Sequence, residues 1–312
     1  LSRILVTGGE GFIGSRVVSF LRDAGHEVWL TSLAGSPAGN VIEADLRQPG
    51  SLAGRIEGFD AIAHLAARSG GIGFQRAGDV AVFADNRAVT DGVLAAANEA
   101  GVDRIFLASS AVVYRPLSSR SHVETDPRLT PDDSPSPYAW SKICDEMVGE
   151  WLARGHGGAS VVVGRFGNVY GPGGPSNDST GTVVHTLVRR AMTAAAAGKG
   201  TFEAHGDPAT VRSFIFVDDV ARAVALLLTD ERATGPFNVD TGIGLTIGEV
   251  ADVVGRAVAA GMRAVFTGEA TDVPYRVTDP SRLGALGFAA QVGFSDGIAR
   301  CVAAARAERQ AL

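Results

Sequence analysis

Two rhythms of apolar residues alternate along the first half of the chain. Short apolar runs at Arg3–Thr7, Glu27–Ser32, Val41–Asp45, Ala61–Ala66 and Arg104–Ser109 read as buried strands. Between and after them, Phe12–Ala24, Val80–Ala100 and Tyr138–Arg154 carry helical periodicity. Repeated strand–helix units with near-continuous apolar strands predict an α/β fold, a doubly wound parallel sheet with helices on both faces. Ala159–Arg165 adds a further strand, after which the pattern loosens into Gly171–Gly181, rich in Gly, Pro, Ser and Asn. Long loops of this kind in compact domains often carry function.

The second half has shorter units. Helices are expected at Thr182–Ala197, Val220–Thr229, Ile247–Ala259 and Gly297–Arg309, and strands at Arg212–Val217 and Phe237–Val239. With neither a repeat nor a low-complexity linker, two parts of the chain are expected to interleave. Residues 1–166 form the large sheet domain, 212–240 return to it, and 167–312 form a smaller C-terminal domain.

Composition narrows the function classes. The chain has 312 residues, 46% of them hydrophobic and 20% charged, which suits one globular α/β unit with a smaller partner. A net charge of −6 argues against a protein that tracks nucleic-acid phosphates. No apolar stretch approaches the ~20 residues of a membrane span. The strand pattern begins at Arg3, so no signal peptide is expected. Cys144 and Cys301 form no CxxC pair and suggest neither a disulfide framework nor a zinc site. A cytoplasmic enzyme without a metal is the expectation.

Gly8-Gly9-Glu10-Gly11-Phe12-Ile13-Gly14 follows the first strand and opens the first helix. Glycines 8, 11 and 14 permit a tight turn, close approach of backbone to a pyrophosphate, and close helix–strand packing. Glycine is abundant, 40 of 312 residues, so the weight lies on the flanking strand and helix. They make this a Rossmann-type dinucleotide turn, with the helix N-terminus facing the phosphates. An acid about 20 residues on usually binds the adenosine ribose. Here the second strand ends in Thr31-Ser32, with no carboxylate and no neighbouring arginine, while Glu10 would repel a 2′-phosphate. NAD or NADP is therefore the cofactor, with a slight tilt to NAD. Asp45 suits either the adenine amino group or a helix cap, and both readings stay open.

Tyr138-Ala139-Trp140-Ser141-Lys142 places an ammonium one helical turn from a phenol. A phenol of ordinary pKa about 10 needs such a cation to act as a base near neutrality. Ser110, after the strand at Arg104–Ser109, can hydrogen-bond an alcohol or ketone while Tyr138 moves its proton, or can simply cap a turn.

These motifs, with His64-Leu65-Ala66-Ala67, Asn86, Ser109–Tyr114, Arg165–Pro172, Arg212-Ser213-Phe214, Val217–Val220 and Arg276–Asp279, stand in the order of the extended short-chain dehydrogenases/reductases. The chain resembles their nucleotide-sugar branch over essentially its whole length. The resemblance implies cofactor contacts from Gly8, Gly11, Phe12, Ile13, Gly14, Ser32, Asp45, Leu46, Leu65, Ala66, Ala67, Tyr138 and Lys142. It implies a nucleoside-diphosphate sugar held by Gly71, Ile72, Ser110, Asn168, Arg212 and Arg276, with Asn86 ordering the site. It also implies a homodimer packed through Val80–Ala100 and Tyr138–Trp151.

Arg68–Phe74 is similar to the glycine-rich segment of GDP-mannose 3,5-epimerases and GDP-fucose synthases, a weak pointer to guanine. Those enzymes also need a cysteine two residues after the serine, where this chain has Val112, and a base near Thr182, where His185 is one turn away. The 4,6-dehydratases carry Asp-Glu where Ala111-Val112 stand here. What remains is chemistry needing Ser110, Tyr138, Lys142 and a hydride carrier. The first expectation is a nucleotide-sugar epimerase that oxidises C4 transiently. The alternatives are a 4-ketoreductase using NADPH and a 3,5-epimerase using groups such as His185. A non-catalytic dinucleotide-binding protein is disfavoured by the intact triad.

Overall fold

Strand β1 (Arg3–Thr7) is buried on both faces, and its side chains divide between two cores. Ile4 and Val6 point into one, Leu5 into the other. The same period-two division runs through Ala61 and Ala63 against Ile62, Phe106 against Ile105 and Leu107, and Val162 against Val161 and Val163. An unbroken apolar run thus serves a sheet covered on both sides. In this computed structural model the described residues are 2–34, 39–71, 74, 79–117, 119–130, 133, 136–155, 158–177, 180–268 and 273–310.

The large sheet has seven strands, all paired in parallel: β1, β2 (Glu27–Ser32), β3 (Val41–Glu43), β4 (Ala61–His64), β5 (Arg104–Ser110), β6 (Ser160–Phe166) and β10 (Gly235–Val239). Their spatial order is β10-β6-β5-β4-β1-β2-β3. The order reverses between β1 and β4, and in such sheets ligands bind beyond the carboxyl ends at that point. Helices α1 (Phe12–Asp23) and α5 (Val217–Thr229) cover one face, and α2 (Val80–Glu99) and α3 (Pro137–Arg154) cover the other.

The second layer has its own core. Helices α4 (Val183–Ala196), α6 (Ile247–Val258) and α8 (Phe294–Gln310) pack with Tyr170, Phe214 and Phe216. A small sheet places β9 (Val211–Phe216) between β11 (Gly244–Thr246) and β13 (Tyr275–Arg276), with β7 (Asn168–Tyr170) also paired to β9. Strands β8 (Thr201–His205) and β12 (Arg263–Thr267) form a separate parallel pair, and a short helix α7 (Ser281–Gly284) packs beside β10. The chain leaves the small sheet at Phe216 and re-enters the large layer through α5 and β10.

Helix α5 starts three residues before the expected Val220. Asp218 and Asp219 occupy its first turn, where negative charge favours a helix N-terminus.

Candidate active site

The glycine turn is shaped by close packing. Gly8 has φ +69°, and a Cβ there would stand 2.9 Å from the Ala66 backbone. A Cβ on Gly14 would stand 2.0 Å from the Gly8 carbonyl oxygen. Any side chain at either position would push α1 away from β1 and β4. Gly11 caps α1 without a side-chain hydrogen bond, and the first turn, with Phe12 and Ile13, holds no acid. Its amide donors and dipole therefore suit a pyrophosphate, so these residues fit a dinucleotide.

Beneath the turn lies a buried hydrogen-bonded chain. Thr7 Oγ1 accepts the Leu65 and Ala66 amides at 3.2 and 3.3 Å and lies 2.7 Å from His64 Nδ1. His64 Nε2 lies 3.1 Å from Thr90 Oγ1. Burial, helped by the Lys142 charge, pushes the His64 pKa down to about 4, so its imidazole is neutral at pH 7. This chain holds the ends of β1 and β4 together, and Leu65, Ala66 and Ala67 follow it at the rim.

Other expected cofactor residues are placed less simply. Ser32 ends β2, and its hydroxyl donates to Glu10. Asp45 accepts from Arg47 Nε, Nη2 and backbone N–H at 2.9, 2.8 and 3.1 Å. The hydrogen bonds from the Arg47 guanidinium hold its carboxyl below the usual range. These contacts cap a turn, since no helix directly follows Asp45 among the described residues. Leu46 turns its side chain into the core.

Ser110, Tyr138 and Lys142 converge from β5 and α3. Ser110 ends β5 and caps the short 3-10 turn Ala111–Val113 through the Val112 amide at 3.3 Å, with its hydroxyl near enough to Tyr138 to act on the phenol's pKa. Capping and action on the phenol therefore coexist. Tyr138 stands in the first turn of α3, where Pro137 and the Ser136 cap start the helix. Burial raises the phenol pKa; the Lys142 charge and the Ser110 hydrogen bond oppose the rise, and Asp145 adds to it. Lys142 is itself buried and donates to Asp145 Oδ2 at 3.2 Å. Asp145 in turn accepts from Arg87 at 2.6 Å. Asn86 accepts the Arg68 amide at 2.7 Å and donates to the Arg68 carbonyl and Ser141 Oγ at 3.1 and 3.2 Å. It thereby fastens the segment after β4 to the residue preceding Lys142.

Toward the small sheet, Asn168 donates to the Ser213 carbonyl at 2.8 Å. Arg212 and Arg276 are direct partners in the β9–β13 register. Arg212 donates to the carbonyls of Val211 and Val273 at 2.7 and 2.8 Å. Neither arginine has an ion-pair partner among the described residues. Burial lowers both pKa values to about 10, and for Arg212 the neighbouring Arg276 charge contributes. Gly71 donates its amide to Thr180 at 3.1 Å, joining the segment after β4 to the long loop. Ile72 and Gly73 lie outside the described residues.

His185 is committed elsewhere. Its Nδ1 lies 2.6 Å from Thr182 Oγ1, its Nε2 2.8 Å from the Gly171 carbonyl, and its ring meets Phe12 edge-on at 5.3 Å. Both nitrogens brace the loop against α4. Among the described residues no group of His, Cys, Asp and Glu could hold a metal, and no helix is long and apolar enough to cross a membrane. Sequence reasoning missed Asp145 and Arg87. Asp145 was visible as an acid three residues after Lys142, but Arg87 depends on how α2 meets α3.

Comparison with known proteins agrees with this architecture. The family model "NAD dependent epimerase/dehydratase family" matches residues 4–240. GDP-mannose 3,5-epimerase 1 of Oryza sativa subsp. japonica is 29% identical over 266 residues, 81% of this chain and 68% of that protein. The dTDP-4-dehydro-6-deoxy-D-allose reductase of Streptomyces bikiniensis is 30% identical over 240 residues, 72% of each chain. Among solved structures, the UDP-glucose 4-epimerase of Thermus thermophilus in complex with NAD superposes with a TM-score of 0.84 at 29% identity, covering 97% of this chain and 99% of that one. The chain belongs to the NAD-dependent epimerase/dehydratase family, the extended short-chain dehydrogenases/reductases that act on nucleotide sugars.

Proposed function

We propose that this protein is a nucleoside-diphosphate-sugar 4-epimerase working with bound NAD. The observation that carries the reading is the company Ser110 keeps. Its hydroxyl acts on the Tyr138 phenol, opposing the rise in pKa that burial causes, while Ala111, Val112 and Val113 beside it are buried and apolar. Dehydration, or exchange at carbons next to a ketone, needs a further acid or base there, and none of these three side chains can move a proton.

The residues take complementary roles. Ser110 orients the C4 hydroxyl, Tyr138 takes its proton, and the Lys142 charge favours the phenolate that does so. The bound nicotinamide supplies reversible hydride acceptance, so an epimerase neither consumes nor releases reducing equivalents. Gly8, Gly11 and Gly14 with the start of α1 hold the cofactor pyrophosphate. Arg212, Arg276 and Asn168 hold the sugar nucleotide, since two half-buried arginines side by side, with no ion-pair partner among the described residues, suit a diphosphate. A second copy is read against α3, where Met147 and Trp151, one turn apart, are 37% and 60% exposed.

A second reading, a 4-ketoreductase, is favoured by the 30% identity to the Streptomyces reductase and uses the same three residues. Incubation with UDP-, dTDP- and GDP-hexoses without added dinucleotide separates the two. The proposal predicts a C4 epimer from one of them, lost in Tyr138→Phe. Turnover only of a 4-keto sugar, with stoichiometric loss of NADPH, would replace it with the reductase.

A further inference from the structure

We propose that Glu10, carried by the glycine turn itself, is the acid that recognises the adenosine ribose and excludes a 2′-phosphate, so that this chain selects NAD over NADP. The inference rests on the reading that the turn holds a dinucleotide. In Rossmann folds the ribose lies beyond the end of the second strand, where an acid usually receives its hydroxyls. That strand ends here in Thr31-Ser32.

The missing carboxylate comes from the adjacent turn. Ser32 Oγ donates to Glu10 Oε2 at 2.8 Å, and the Ala34 amide donates to Ser32 Oγ at 3.3 Å. With the Ala34 amide on its acceptor side, the serine hydroxyl turns its proton to the carboxylate. That bond draws the Glu10 side chain to the β2 side of the turn, away from the amides that face the pyrophosphate. Glu10 is exposed, and its Oε1 has no partner among the described residues, so it can accept from ribose hydroxyls.

The surrounding charges point the same way. Glu43 is the register partner of Ser32 on β3 and adds a second negative charge. Arg47 is committed to Asp45, and Arg16 lies 3.7 Å from Asp218. A 2′-phosphate at this place would meet one or two carboxylates.

The test is calorimetric titration of NAD and NADP into the whole chain after removal of co-purified nucleotide, beside Glu10→Gln, Ser32→Ala and Glu43→Gln. Wild type is expected to bind NAD about tenfold or more tightly than NADP. Glu10→Gln should compress that ratio to about threefold or less. Ser32→Ala should compress it partly, because the carboxylate loses its anchor, and Glu43→Gln should leave most of it. An unchanged ratio in Glu10→Gln, or collapse in Glu43→Gln alone, overturns the assignment. Wild type binding neither dinucleotide overturns it as well, and locates the failure in the cofactor reading of the turn.

Discussion

Asp145 stands between two cations, the buried Lys142 and the half-buried Arg87: its Oδ2 lies 3.2 Å from Lys142 Nζ, and its Oδ1 accepts from Arg87 at 2.6 Å. The carboxylate holds the lysine in place, but its charge also pushes the Tyr138 phenol up, against the pull of Lys142. Asp145→Asn removes that upward push. If the phenolate is the working base, the rising limb of the kcat–pH profile should move to lower pH by up to about one unit. The same change leaves Lys142 and Arg87 without their shared partner and should cost about 3 kcal/mol of stability. A destabilised variant with an unshifted profile would mean that Asp145 is only structural.

Arg212 and Arg276 are register partners on β9 and β13, and neither has an ion-pair partner among the described residues. Like charges placed opposite one another destabilise a sheet, so the pair costs stability until an anion arrives. Arg276→Leu, which keeps much of the packing stem, should leave the thermal midpoint of the free protein unchanged or raised. It should weaken binding of a nucleoside diphosphate by about 10- to 100-fold. Lower stability with unaltered nucleotide affinity would assign the arginine to the scaffold.

His64 makes stability depend on acid. Its folded pKa of about 4 lies below the ordinary 6.5, so the unfolded chain binds the extra proton between those values. The contribution is complete above pH 6.5 and is lost as pH falls toward 4, amounting to about 3 kcal/mol. His122, also near 4, titrates in the same window. The comparison is therefore between wild type and His64→Asn, with unfolding free energy measured by denaturant at pH 7, 5.5 and 4.5. The variant should start less stable and fall less steeply. Parallel slopes would contradict a buried neutral His64.

The large sheet was readable because its central strands β1, β4, β5 and β6 are apolar runs, and burial on both faces leaves few other ways to satisfy such runs. The small strands escaped for physical reasons. β8 and β12 alternate between more and less exposed residues and pair with one another outside both main sheets, whereas β7, β11 and β13 are two or three residues long. Ser110, Tyr138 and Lys142 could be found because strand-end position and helical spacing alone bring them together. The contact of Ser32 with Glu10, 22 positions apart, needed the turn and β2 side by side. Likewise Arg87 reaches Asp145 only after α2 packs on α3. His185 shows the converse: its nearness to the expected base position suggested chemistry, but both its nitrogens are occupied by the loop it braces.

On the epimerase reading, hydride chemistry at C4, without proton exchange at neighbouring carbons, is all this site can do. Proton NMR of the protein with each nucleoside-diphosphate hexose in deuterated water, without added dinucleotide, distinguishes the two kinds of chemistry. The expected result is a new C4-epimeric sugar signal with no deuterium incorporated at any carbon. Deuterium appearing at C3 or C5 would contradict the reading, because a proton-exchanging group would then be at work despite Val112 and the braced His185.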